Sequence, residues 1–184
     1  MDIKVLVPIA QGTEELEAIT IVNLMRRAGI QVKIAGENEI VTCARGLKIL
    51  PDILLDKLDI DLQFDAIVIP GGEFGTINLS KNEYLEKVIK EHKKQGKFLA
   101  AICAGPSVLV QYNLIDDDAQ LTSHPTVEHL FENHQFTDER VVIDKNLITG
   151  KGAGAAFDFT LAVITKLCGE EVSKKIAEDT FYIL

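Results

Sequence analysis

The chain has 184 residues, 47% of them hydrophobic, and a formal net charge of −9. That length is usual for one domain, and the apolar fraction supports a sizeable core rather than disorder. No apolar run approaches the roughly 20 residues needed to span a membrane, and the basic residues form no long stripe, so neither a membrane nor a nucleic acid is the expected partner. The N-terminus runs directly into Ile3-Lys4-Val5-Leu6-Val7 with no charged-then-apolar leader. Cys43, Cys103 and Cys168 are far apart and odd in number. A disulfide framework and a zinc ribbon are both poorly supported, and reduced thiols in a cytoplasm fit best.

Apolar runs alternate with helical patterns along the chain. Strands are expected at Lys4–Ile9, Gln31–Ala35, Ala66–Pro70, Phe98–Ile102, Leu121–Thr122, Arg140–Asp144 and Leu147–Thr149. Helices are expected near Glu14–Ala28, Glu83–Gln95, Gly105–Tyr112, Pro125–Asn133, Ala155–Leu167 and Glu170–Ile183. Ile40–Ile53 looks like a short excursion of extended chain. The central strands are continuously apolar, which suits a mainly parallel sheet covered on both faces. The expectation is an α/β sandwich forming a single domain over residues 1–184. In such sheets ligands bind beyond the carboxyl ends of the strands.

Ala100-Ala101-Ile102-Cys103-Ala104-Gly105-Pro106 puts a thiol where a buried strand turns sharply into a helix. First-turn N–H groups and the helix dipole favour a thiolate there, below the free-cysteine pKa of ~8.5. The alternative is one more small buried hydrophobe. Glu17 shares a helix face with Ile21, Leu24 and Ala28. On that apolar stripe a carboxyl tends to stay protonated and to serve as a proton shuttle, unless it sits at the rim and reaches water. Glu14 and Glu15 need no more than the dipole of a first helical turn. Gly71-Gly72 after Pro70 lets the backbone approach a ligand, and with the N–H of Ala104 it suggests an oxyanion hole; a plain tight turn is the alternative. His124, opening a helical pattern, is suited to orient or deprotonate a cysteine, or merely to cap its helix. His92, His129 and His134 look like surface residues, and no metal site is expected. Gly150-Lys151-Gly152-Ala153-Gly154-Ala155 superficially matches a dinucleotide fingerprint, but no strand and acid follow at the required distance.

These pieces together resemble the ThiJ/PfpI superfamily, specifically its DJ-one branch. The matching runs are Gly12-Thr13-Glu14-Glu15-Leu16-Glu17, Met25-Arg26-Arg27-Ala28-Gly29, Pro70-Gly71-Gly72, Ala100 to Pro106 and Ser123-His124-Pro125, in the family's order and across nearly the whole chain. The resemblance implies a flavodoxin-like three-layer sandwich that forms homodimers. It implies Cys103 as the reactive cysteine, Glu17 as its protonated or proton-shuttling partner, and His124 nearby. Backbone N–H groups of Gly72 and Ala104 are implied around the oxyanion. Arg27 and Arg45 match arginines close to the pocket and dimer interface, with Gly71 beside them, and Cys43 matches a less reactive cysteine. Ala104 stands where the peptidase-like and larger chaperone-like branches carry histidine, and none of the histidines opens the His-x-Glu of glutaminases.

Three functions follow as expectations. The first is a cofactor-free, metal-free glyoxalase III-type enzyme converting methylglyoxal to lactate, with protein deglycation as a related activity. The second is a redox-sensing, stress-protective protein in which Cys103 oxidises. The third is a chaperone-like role without chemistry, in which the apolar ending Phe181-Tyr182-Ile183-Leu184 is a contact surface or, in the blander view, a tail packed on the core.

Overall fold

A computed structural model describes residues 2–59 and 63–183. The elements in chain order are β1 (Lys4–Ile9), α1 (Glu15–Arg27), β2 (Gln31–Gly36), β3 (Val41–Thr42), β4 (Lys48–Ile49), β5 (Ile53–Leu54), a 3-10 turn (Leu55–Lys57), β6 (Ala66–Ile69), α2 (Glu73–Leu79), α3 (Glu83–Lys94), β7 (Phe98–Ile102), α4 (Pro106–Gln111) and β8 (Gln120–Leu121). A 3-10 helix (Pro125–Phe131), β9 (Gln135–Phe136), β10 (Val141–Asp144), β11 (Leu147–Gly150), a 3-10 turn (Ala153–Ala155), α5 (Ala156–Cys168) and α6 (Glu170–Asp179) complete it.

The main sheet has the order β10-β11-β7-β6-β1-β2-β5, with every pairing parallel except β10 to β11. Its continuous apolar strands are explained by burial on both faces. Val5, Val7 and Ile9 of β1 join Ile21, Leu24, Phe159 and Ile164 on one side, under α1, α5 and α6. Leu6 of the same strand joins Ile67, Leu99, Leu85, Ile89 and Leu109 on the other, under α3 and α4. The result is a flavodoxin-like three-layer sandwich. The chain leaves β1 toward β2, then returns to lay β6 and β7 on the other side. The switch point therefore lies at the carboxyl ends of β1, β6 and β7, where a crevice is expected.

Several expectations need correction. Residues 120–121 pair with β9 in a separate two-stranded sheet and not with the main one. The expected helix at Pro125–Asn133 is a 3-10 helix ending at Phe131. The last helix stops at Asp179, because Thr180 bonds back through Oγ1 to the Ile176 carbonyl at 2.7 Å and Phe181 adopts φ 55°. Helix α2 had no sequence signal. Its short run contains Gly75 and β-branched Thr76 and Ile77, both weak helix formers, and Thr76 Oγ1 holds it by donating to the Gly72 carbonyl at 3.0 Å. The Ile40–Ile53 excursion contains the β3–β4 hairpin, whose Ala44 N–H donates to the Thr13 carbonyl at 2.8 Å.

Candidate active site

Cys103 follows the last residue of β7 and has φ 63°, a left-handed conformation that costs a non-glycine residue roughly 1–2 kcal/mol. Two backbone bonds hold it there. Its N–H donates to the Gly150 carbonyl at 2.8 Å, and its carbonyl accepts from the His124 N–H at 2.9 Å. Gly105 N–H closes the turn onto the Ile102 carbonyl at 2.8 Å, and α4 begins at Pro106. The N–H groups of Ala104 and Gly72 face the sulfur and favour its ionised form. Gly72 turns its N–H there with φ 100°, a conformation glycine adopts without steric cost.

Glu17, in the first turn of α1, is completely buried. Its Oε2 accepts from the Gly71 N–H at 2.7 Å, while Oε1 has no hydrogen-bond partner among the described residues. Burial raises its pKa to about 7; the nearby Glu14 charge adds to the rise, and the Gly71 N–H and the thiol oppose it. The carboxyl and the thiol are neighbours. A Cβ on Gly71 would stand 2.7 Å from Cys103 Cβ and 2.8 Å from Glu17 Oε2. Only glycine allows the three groups to converge.

The thiol does not behave as its place at a helix start suggested. Burial, then the Glu17 carboxylate, push it up to about 12. The downward pull of the Ala104 and Gly72 N–H groups is outweighed. When the proton sits on Glu17, the repulsive charge is gone and only burial opposes ionisation. The two groups act strongly on each other, so neither titrates independently.

A cavity of about 610 Å³ opens over the pair, lined also by Glu14, Arg45, Glu73, Ser107, His124 and Ala153. His124 reaches its wall, but its ring bonds are local: Nδ1 lies 2.9 Å from Thr126 Oγ1 and accepts from the Thr126 N–H at 3.3 Å. Arg45 comes from the turn of the β3–β4 hairpin. Arg27 does not belong here. It lies ten residues beyond Glu17, about 15 Å along the helix axis. There it bonds Asn23 at 2.8 Å and lines a separate groove of about 500 Å³ with Val22, Arg26, Ile34 and Ile49.

Glu15 does more than complement a dipole. Its carboxylate accepts the Arg45 N–H at 2.9 and 3.0 Å and so fixes the hairpin that delivers Arg45. No local pattern announces a contact across 30 residues. His92 is buried rather than superficial, its Nε2 2.8 Å from the Phe98 carbonyl, and burial lowers its pKa. Cys43 is buried, and burial pushes its thiol up to about 11. In the tail, Tyr182 stacks on Phe157 with centroids 4.9 Å apart and donates to Asp158, whereas Phe181 and Ile183 are exposed; Leu184 lies outside the described residues. Among the described residues no group of three His, Cys, Asp or Glu side chains is arranged to hold a metal ion.

The sequence profile of the DJ-1/PfpI family matches residues 3–166. The chain belongs to the DJ-1/PfpI family. It is 37% identical over 177 residues to protein dj-1beta of Drosophila melanogaster, covering 94% of each chain. The crystal structure of that Drosophila protein superimposes with a TM-score of 0.96 at 34% identity, covering 100% of both chains. Another relative, from Caenorhabditis elegans, is named a glutathione-independent glyoxalase; it is 35% identical over 169 residues, covering 90% of this chain and 89% of its own. The family therefore includes a protein named as a glyoxalase independent of glutathione.

Proposed function

We propose that this protein is a cysteine-dependent enzyme converting small α-oxoaldehydes such as methylglyoxal to 2-hydroxy acids. The observation that carries the proposal is the convergence of a left-handed Cys103, two N–H donors and a carboxyl with a pKa of about 7 at the floor of one cavity. Cys103 Sγ attacks the aldehyde carbon, and the Glu17 carboxylate takes the thiol proton. The oxyanion develops against the N–H groups of Gly72 and Ala104, a contribution of roughly 3 kcal/mol per donor in comparable sites. Protonation by Glu17 gives a hemithioacetal. Glu17 then removes the proton from the former aldehyde carbon and returns one to the neighbouring carbon through an enediol. The first carbon is oxidised and the second reduced, so no external electron acceptor is needed. Water from solvent cleaves the thioester, releasing the hydroxy acid and the thiol. His124 and Arg45 line the cavity and orient the substrate; deglycation of hemithioacetal-like adducts uses the same groups.

Measured D-lactate or L-lactate formation from methylglyoxal tests the proposal. Wild type should turn over, and Cys103→Ser should lose at least about 10³-fold, in line with loss of a thiol nucleophile. Equal rates in the two proteins overturn it. A second reading is favoured by the same donors. Two equivalents of peroxide take the thiol to a sulfinate with release of two waters, and Glu17 with the Gly72 and Ala104 N–H groups would hold its oxygens. Mass mapping after brief peroxide exposure distinguishes it, since selective dioxidation of Cys103 without dicarbonyl turnover favours sensing. We further propose a homodimer. Exposed Leu16 and Ile19 on α1, beside the Arg27 groove, are the surface proposed for the contact.

A further inference from the structure

The cavity exceeds what a three-carbon substrate fills. Its volume of about 610 Å³ lies within the ~300–1,000 Å³ of pockets that enclose much larger ligands. Beyond the reacting groups, its lining is polar at Thr76, Ser107, His124 and Thr126 and has two further parts. Glu14, Arg45 and Glu73 are charged; Ile77, Val127 and Leu130 are apolar. Helix α2 and the Pro125–Phe131 3-10 helix both pack against α4, so these apolar side chains reach the cavity from two elements beside the helix that starts at the thiol.

Ile77 and Leu130 are not what anchors their elements, whereas Val127 is half-buried and also packs against the core. Helix α2 is anchored by Leu79, and the 3-10 helix by Phe131, each 1% exposed. Ile77 and Leu130 remain 42% and 41% exposed. Their positions are also coherent. Val127 and Leu130 are three apart in a 3-10 helix, where side chains at that spacing eclipse and form one stripe. Ile77 shares a face of α2 with Glu73 and Thr76, which also line the cavity.

We infer that Ile77, Val127 and Leu130 form a subsite for an apolar substituent, so that the preferred substrates are α-oxoaldehydes bearing an aryl or branched alkyl group. The inference rests on the dicarbonyl chemistry proposed above. Covering this wall removes apolar surface from water on both partners. A polyhydroxylated, sugar-derived dicarbonyl would instead give up hydrogen bonds to water against it.

The test compares phenylglyoxal with methylglyoxal in wild type and in Ile77→Ser/Leu130→Ser. Differences in intrinsic electrophilicity cancel when the ratio of kcat/KM values is compared between the two proteins. The ratio should fall about tenfold in the variant, about 1.4 kcal/mol at 25 °C. Protection of Cys103 from iodoacetamide by each aldehyde gives a second readout that needs only adduct formation. Protection by phenylglyoxal at lower concentration than methylglyoxal, lost in the variant, supports the subsite even in the absence of turnover, and in that case only the catalytic proposal fails. Turnover of both substrates with an unchanged ratio overturns the subsite and leaves catalysis standing. A variant whose only change is a lower mass in light scattering would mean that a second copy of the chain covers this wall, and it overturns the subsite too.

Discussion

Replacing Glu17 by Gln isolates the energetic consequence of burying an ionisable carboxyl under the thiol. The carboxyl pKa rises from 4.5 to about 7, with burial as the first cause. At about 1.36 kcal/mol per unit, that rise amounts to about 3 kcal/mol. The sign follows from proton linkage. The folded state binds the proton more tightly than the unfolded state, so the stability it contributes is complete below about pH 4.5 and is lost as pH rises to about 7. Gln keeps the acceptor for the Gly71 N–H and is neutral throughout. Urea unfolding at pH 4.5 and pH 8 should therefore show the variant's stability advantage over wild type growing by about 3 kcal/mol between the two pH values. With a urea m-value of roughly 2–3 kcal/mol/M, the midpoints should diverge by about 1 M. Parallel pH dependence in the two proteins would refute the idea of a carboxyl forced to ionise inside the fold. The same variant should also lose dicarbonyl turnover by at least about 10²-fold, because an amide transfers no proton.

In wild type, kcat/KM for methylglyoxal should rise with pH through about 7, since the first step uses the Glu17 carboxylate as base; a profile flat from pH 5 to 8 contradicts that role. Brief iodoacetamide exposure followed by mass mapping should modify Cys103, which opens on the cavity beside its base, ahead of Cys43, which is buried away from that cavity, and ahead of Cys168. Gly71→Ala should cost about 1–3 kcal/mol in urea unfolding and at least about 10²-fold in turnover, because the new methyl would meet Cys103 Cβ at 2.7 Å and Glu17 Oε2 at 2.8 Å; unchanged kinetics would show that the pair tolerates displacement. Light scattering should give twice 20.3 kDa for wild type, and Ile19→Glu should shift it toward one chain; a monomeric wild type at micromolar concentration removes the dimer.

Local patterns carried most of the fold. The apolar runs at Lys4–Ile9 and Phe98–Ile102 are strands with those same limits, since a continuous apolar run buried on both faces marks a central strand. The buried face of Glu17 was legible for the same reason, because helical spacing with Ile21 and Leu24 is a property of neighbouring residues. The Cys103 turn was legible from an apolar strand meeting Gly105-Pro106. Helix α2 was not, since its weak local propensity is overridden by packing. Neither was the 3-10 character of Pro125–Phe131, which differs from an α-helix only in hydrogen-bond register.

Tertiary structure alone decided how the site's charges interact and which residues share it. Two arginines matched by resemblance have different places: Arg45 is held at the cavity by Glu15 from 30 residues away, and Arg27 lies at the far end of α1 on another groove. Sequence proximity to a helix start suggested a lowered thiol pKa. The folded chain raises it, because burial and an adjoining carboxylate outweigh two N–H donors. Periodicity reports which residues face inward. Desolvation and Coulomb energies depend on distances between segments that meet only when the sheet is assembled, so the protonation of Cys103 and Glu17 belongs to the fold.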